Sequence, residues 1–263
     1  MFDSGVGGLT VVRAIMDDLP NESLLYFGDT ARFPYGPRPL AEIRRFAVQI
    51  AAHLIERDVK LVVVACNSAT AAALDDVASA VPVPVIGVVE PAVRAAVRAT
   101  RNGRVGLIGT EATVSSRAYQ RTFQELDPDL QVIARACPRF VDFVERGDTT
   151  SPELLVVASR YLEPLQEWGV DTLILGCTHY PLLRGTIRHV MGPDVLLISS
   201  ADETVSDVYD ILSSKGLLAE GSDRPVHRFE SSGDPATFSA LGHRFLGPDF
   251  GPAVRVLLPS VEA

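Results

Sequence analysis

Two cysteines stand in matched surroundings. Val62-Val63-Val64-Ala65-Cys66-Asn67-Ser68 and Leu173-Ile174-Leu175-Gly176-Cys177-Thr178-His179 each run apolar strand, small residue, Cys, polar residue. Each thiol ends a buried strand and precedes helix-start signals. Asn67 or Ser68 can cap after the first, Thr178 or His179 after the second, with Pro181 near the first turn. Ligands of parallel α/β sheets bind beyond the carboxyl ends of the strands, where both sulfurs fall. A free thiol titrates near about 8.5 and a helix N-terminus favours the charged form, so both positions are expected to stabilise a thiolate. A single buried cysteine is as readily a small hydrophobe; the matched pair points to function.

Other residues are less specific when read alone. His179 is open between an acid/base partner, a substrate donor and a cap. Cys-x-His supplies only two ligands and no second Cys/His cluster appears, which argues against a metal. Cys137, in Arg135-Ala136-Cys137-Pro138-Arg139, lacks the strand-and-capper context and reads as structural, while Glu145 reads as a solvated helix end. Phe2-Asp3-Ser4-Gly5-Val6-Gly7-Gly8-Leu9-Thr10 is a Gly-rich turn into a helix. It matches neither Gly-x-Gly-x-x-Gly nor a Walker sequence, so a nucleotide is not indicated. Pro34-Tyr35-Gly36 is a turn.

The elements that must position these residues alternate along the whole chain. Apolar runs at Leu24–Phe27, Leu61–Ala65, Val83–Val88, Val105–Ile108, Gln131–Ala134, Thr172–Leu175, Val195–Ile198 and Val226–Phe229 predict strands. Helical spacing recurs through Leu40–Leu54, Ala112–Leu126, Glu153–Trp168 and Asp202–Leu212. The pattern predicts an α/β fold of crossover-connected parallel strands with helices on both faces. The two cysteine segments lie about one domain length apart, so two similar doubly wound parallel-sheet domains are expected to face each other across a cleft. The expected first domain is residues 1–91 and 200–263, carrying Cys66; the second is residues 92–199, carrying Cys177. Residues 247–263, rich in Pro and Gly, predict an extended surface strap with a frayed end.

Composition bounds the function. With 263 residues and 47% hydrophobic content the chain can bury a substantial core. No apolar run is long enough to span a bilayer and no secretory leader opens the chain, which predicts a cytoplasmic protein. A net charge of −9 without a basic patch argues against nucleic-acid and membrane partners. Three cysteines suit a reducing compartment. Of 24 basic residues only Lys60 and Lys215 are lysines, and neither is placed to anchor pyridoxal phosphate by a Schiff base.

The motifs FDSGVGGLT, PYG, ACNSAT, CPRFVDFVE and LGCTHYPLL, in that order over nearly the whole chain, resemble the cofactor-independent glutamate racemases, most of all the actinobacterial ones. The resemblance implies interconversion of L- and D-glutamate without a cofactor, supplying D-glutamate for peptidoglycan. It further implies that Cys66 takes the α-proton of D-glutamate, assisted by Asp3, and that Cys177 takes that of L-glutamate, assisted by His179 with Glu145 behind it. Substrate contacts implied in the same way are Asp3, Ser4, Tyr35, Gly36, Asn67, Ser68, Thr110, Thr113, Thr178 and His179. At the family level a homodimer is expected, and some members bind DNA gyrase, on which this sequence is silent. A racemase of the same superfamily acting on aspartate or a hydantoin is the alternative; a decarboxylase would need one cysteine, and a binding protein would leave the pair unexplained.

Two departures stand out. Position 68 is Ser where many members have Thr, which keeps the hydroxyl. The family usually has a short strand before FDSG, whereas here Met1 directly precedes it; Asp3 is expected to lose the strand that aims it, and the natural start to lie upstream.

Overall fold

The computed structural model describes residues 1–219, 221 and 224–259. In chain order the strands are β1 (Phe2–Asp3), β2 (Leu24–Gly28), β3 (Val62–Val64), β4 (Val85–Gly87), β5 (Arg104–Gly109), β6 (Gln131–Ala136), β7 (Thr172–Gly176), β8 (Leu196–Ser199), β9 (His227–Ser231) and β10 (Ala253–Arg255). The helices are α1 (Leu9–Asp18), α2 (Leu40–Ile55), α3 (Asn67–Ala80), α4 (Val89–Ala99), α5 (Glu111–Ser116), α6 (Ala118–Leu126), α7 (Arg139–Glu145), α8 (Pro152–Glu167), α9 (Arg184–Met191), α10 (Ser200–Ser214) and α11 (Pro235–Leu246). No helix among the described residues is long and apolar enough to cross a membrane.

The strands form two sheets, parallel at every pairing: β10-β9-β2-β1-β3-β4 and β6-β5-β7-β8. The run β2-β1-β3-β4 of the first sheet and the four strands of the second therefore share one winding order. Counting from its own first strand, each reads second, first, third, fourth. The fold is two doubly wound parallel-sheet α/β domains, as the alternating pattern predicts.

Both faces of each sheet are covered, which is why the central strands read as unbroken apolar runs rather than alternating ones. On the first sheet α1, α10 and α11 pack one face through Val12, Ile15, Val205, Val208 and Phe238, and α2 and α3 pack the other through Ile43, Ile50, Leu54 and Val77. On the second sheet α7, α8 and α9 bury Phe140, Phe143, Leu162 and Ile187 on one face, while α4 and α6 bury Val93, Ala96 and Phe123 on the other. Residues from Ser200 onward return to the first sheet, adding β9 and β10 at its edge.

Three local features differ from the sequence expectations. The pattern Ala112–Leu126 is two helices, because Arg117 takes φ 57°, in the left-handed region. Ser116 Oγ donates to Thr113 O (2.7 Å) and accepts from Ala118 N (3.1 Å), so a side chain takes over where helix hydrogen bonds would continue. The tail is more than a strap: Ala253–Arg255 pairs with β9, and Val256 and Leu258 pack on the α2 face. The frayed end expected of residues 247–263 falls on their last positions, of which 260–263 lie outside the described residues. Asp3 also keeps a strand. Phe2 pairs with Phe27 on one side and Val64 on the other, and Asp3 pairs with Gly28, so two residues suffice because both neighbours hold them.

Candidate active site

In each sheet the chain winds outward in opposite directions from one gap, between β1 and β3 in the first and between β5 and β7 in the second. The loops leaving such a gap part to opposite faces and open a crevice at the carboxyl ends of the strands. In the first sheet that crevice receives Asp3-Ser4 and Cys66-Asn67, and in the second Thr110 and Cys177-Thr178-His179. The two crevices meet at one cavity of ≈ 170 Å³, lined by Ser4, Tyr35, Gly36, Cys66, Asn67, Ser68, Thr110, Cys177, Thr178 and His179. Both thiols are 5% exposed, so each is buried by protein yet open to this cavity.

On the first side Cys66 Sγ lies 3.8 Å from Ser4 Oγ. Burial pushes the Cys66 thiol well above its ordinary range, the Asp3 carboxylate pushes it further, and the N–H groups of Ala69 and Ser4 with the Ser4 hydroxyl oppose them incompletely. The expected thiolate stabilisation is thus overturned at Cys66. Burial and the Asp3 carboxylate together outweigh the helix N-terminus. Asp3 itself is fully buried; its Oδ2 accepts from Gly5 N (3.1 Å) and its Oδ1 lies 3.5 Å from Thr178 Oγ1 on the opposite domain.

On the second side Cys177 is followed by a four-residue 3₁₀ turn, Tyr180–Leu183, before α9 begins at Arg184. The helix expected to begin beside Cys177 begins only at Arg184, and the His179 ring lies beside the sulfur instead. His179 Nδ1 lies 3.9 Å from Cys177 Sγ and its Nε2 lies 3.3 Å from Glu145 Oε1. Burial would lower the His179 pKa, but the hydrogen bonds to Cys177 and Glu145, and the charges of Cys177 and Asp3, push it up to about 10. Glu145 is thus a ring partner rather than the solvated helix end that its sequence suggests.

None of the four predicted caps is made; Asn67, Ser68 and Thr178 bond across the domain interface instead, and His179 bonds Cys177 and Glu145 within its own domain. Ser68 Oγ meets Thr110 Oγ1 at 2.8 Å, and Thr110 meets Thr113 at 3.0 Å. Asn67 accepts from the Tyr119 hydroxyl at 2.6 Å. Thr10 Oγ1, on α1, donates to Thr178 O at 3.1 Å. Tyr35 lines the cavity with its hydroxyl turned away to Asp29, and Gly36 O accepts from Ala112 N at 2.8 Å. Asp3, Thr113 and Glu145 stand behind the lining, each bonded to a residue in it.

Cys137 is buried outside the cavity, with its thiol toward Arg135 O, and Lys60 pairs with Glu22 at the amino end of β3. Sequence reasoning missed Phe33, Pro34, Pro37, Glu111, Pro138, Val141 and Asp142 in the lining. The PYG and CPRFVDFVE motifs lie beside or contain most of them, and that adjacency was the available signal.

The sequence profile of the Asp/Glu/hydantoin racemases matches residues 9–208, a span that includes both cysteine segments. The chain belongs to this family. Family members similar to it include the glutamate racemase of Corynebacterium diphtheriae, 56% identical over 94% of this chain and 93% of that one. That of Mycobacterium ulcerans is 54% identical, over 94% and 92%. Among solved structures, a glutamate racemase isoform from Bacillus anthracis superposes with a TM-score of 0.93 at 43% identity, covering 98% of this chain and 96% of that one. The Francisella tularensis glutamate racemase, solved with D-glutamate, gives 0.91 at 36% identity over 97% and 95%. The actinobacterial likeness expected from the motifs holds.

Proposed function

We propose that the protein interconverts L- and D-glutamate with Cys66 and Cys177 as the two proton-transfer groups. The observation that carries this is the pair of thiols ending equivalent strands of two facing sheets and opening on one cavity. Racemisation needs one group on each face of a carbon, and two sheets of the same winding order supply it. The names of the relatives support glutamate over the other substrates of the family.

Burial keeps Cys66 a thiol, so Cys66 starts as the proton donor, and Cys177, with His179 Nδ1 3.9 Å from its sulfur, starts as the base. Cys177 thus takes the α-proton of L-glutamate as Cys66 gives its proton to the other face, leaving D-glutamate, a Cys177 thiol and a Cys66 thiolate. The reverse transfer starts from that second state, with Ser4 beside the Cys66 sulfur and Asp3 behind it. The carbanion-like transition state is stabilised by preorganised donors that line the cavity. Asn67, Ser68, Thr110 and Thr178 supply side-chain donors around it, with Ser4, Tyr35 and Gly36 completing the contacts. Asp3 and Thr113 act from behind, by holding Thr178 and the Ser68–Thr110 pair.

The domain limits that fit this reading are residues 1–91 with 200–263, and 92–199. The product would enter peptidoglycan synthesis in the cytoplasm, and the working form would be a homodimer.

Exchange of the substrate α-proton in deuterated water, without added cofactor, tests the assignment. Wild type should exchange and racemise glutamate, whereas Cys66→Ser and Cys177→Ser should each lose racemisation. Retained racemisation in either variant refutes the two-thiol assignment, and preference for aspartate or a hydantoin refutes the substrate.

A further inference from the structure

A hydrogen-bonded chain runs from α6 through the residue after one catalytic cysteine to the strand that carries the other. Tyr119, fully buried, donates its hydroxyl to Asn67 Oδ1 at 2.6 Å. Asn67 Nδ2 donates to Ser200 Oγ at 3.2 Å, and Ser200 Oγ donates to Leu175 O at 3.4 Å, two residues before Cys177. Tyr119 and Leu175 belong to the second sheet's domain, Asn67 to the first, and Ser200 is the residue at which the chain returns to the first.

The direction of this chain is fixed by counting donors. A phenol has one proton, and here its acceptor is Asn67 Oδ1. Turning the Asn67 amide over would face Nδ2 to the phenol, strand a buried hydroxyl proton, and cost the Ser200 hydroxyl its bond to Leu175 O. Burial pushes the Tyr119 pKa well above the ordinary range, so the hydroxyl stays a donor. An amide nitrogen carries two protons, of which Ser200 takes one. The second remains for the cavity that Asn67 lines.

We infer that Tyr119 and Ser200 are positioning residues: they hold the Asn67 amide so that a donor, not the carbonyl oxygen, meets a carboxylate of the substrate. This rests on the proposed reaction of an amino acid with anionic groups. A freely turning amide would present its oxygen part of the time and repel that carboxylate. Tyr119 and Ser200 therefore act on substrate binding, and through Asn67 alone.

The test is a double-mutant cycle on racemisation, run in both directions with Tyr119→Phe, Asn67→Ala and the pair. Tyr119→Phe should raise KM for both enantiomers about tenfold, the size of one positioned hydrogen bond, with kcat within about threefold. In the Asn67→Ala background the same change should have no further effect on KM. Ser200→Ala, which removes the other anchor, should repeat the pattern and serves if Tyr119→Phe does not fold. Equal effects in both backgrounds, or an unchanged KM, would overturn the inference and leave a packing role only. A wild type without racemase activity would instead refute the proposed function, so the two failures are distinguishable.

Discussion

Replacing Gly7 by alanine puts a methyl group where the two domains touch at the active site. Its Cβ would lie 2.4 Å from His179 Nδ1, 2.4 Å from Thr178 Oγ1 and 2.5 Å from His179 Cε1. Ordinary contact begins near 3.4 Å, so something must move by about 1 Å. His179 is held on its far side by Glu145 and Thr178 by Asp3, and neither is a free surface group. Either the imidazole leaves its place 3.9 Å from Cys177, or the domains part and the sulfurs separate. Misplacement of about 1 Å costs on the order of 10²-fold in rate, and overpacking costs about 1–3 kcal/mol in stability. Gly7→Ala should therefore stay folded while kcat/KM falls about a hundredfold. The enantiomers are of equal energy, so the fall must be the same in both directions. Initial rates by circular dichroism, beside a urea midpoint, measure both quantities. A folded Gly7→Ala variant with wild-type kcat/KM would refute the argument that this close approach sets the geometry of His179.

Further outcomes concern the supports of the second cysteine. The His179 pKa is raised from 6.5 to about 10, so its contribution to stability is whole below about 6.5 and is lost as pH rises through about 10. Glu145→Gln removes one of its two partners and should start that loss at lower pH; an unchanged alkaline limb in denaturation midpoints against pH would contradict the pairing. Tyr180→Phe removes a hydroxyl lying 2.8 Å from Cys137 O and 3.0 Å from Gly109 O, and should cost about 1–3 kcal/mol in urea unfolding. A cost below about 0.5 kcal/mol would mean that those carbonyls find other donors.

Much of the fold was legible because its signals are local. Val62–Val64 and Thr172–Gly176 are continuous apolar runs between turn residues, and such runs predict parallel strands wherever they occur. Both cysteines could be located because strand, thiol and polar residue are consecutive. What stayed hidden depends on partners far along the chain. Asn67 and Ser68 carry every sign of helix caps, yet Tyr119 and Thr110 capture them across an interface that no period encodes. Glu145 looks solvated until Cys177-Thr178-His179 folds against the end of its helix. Cys66 shows the same limit in electrostatics. Its helix N-terminus is visible in the sequence, but the burial that overrides it is not.

The shared winding order of the two sheets has a consequence for how the enzyme can fail. Each sulfur is fixed within its own domain, by a strand with neighbours on both sides, so the spacing between sulfurs belongs to neither domain. It is a property of the seam, set by contacts such as Thr10 with Thr178 and Ser68 with Thr110. Damage there leaves two intact halves with both sulfurs present and out of register. Heating or mild denaturant should silence turnover before either core melts, and secondary structure would be a poor guide to whether the protein is alive.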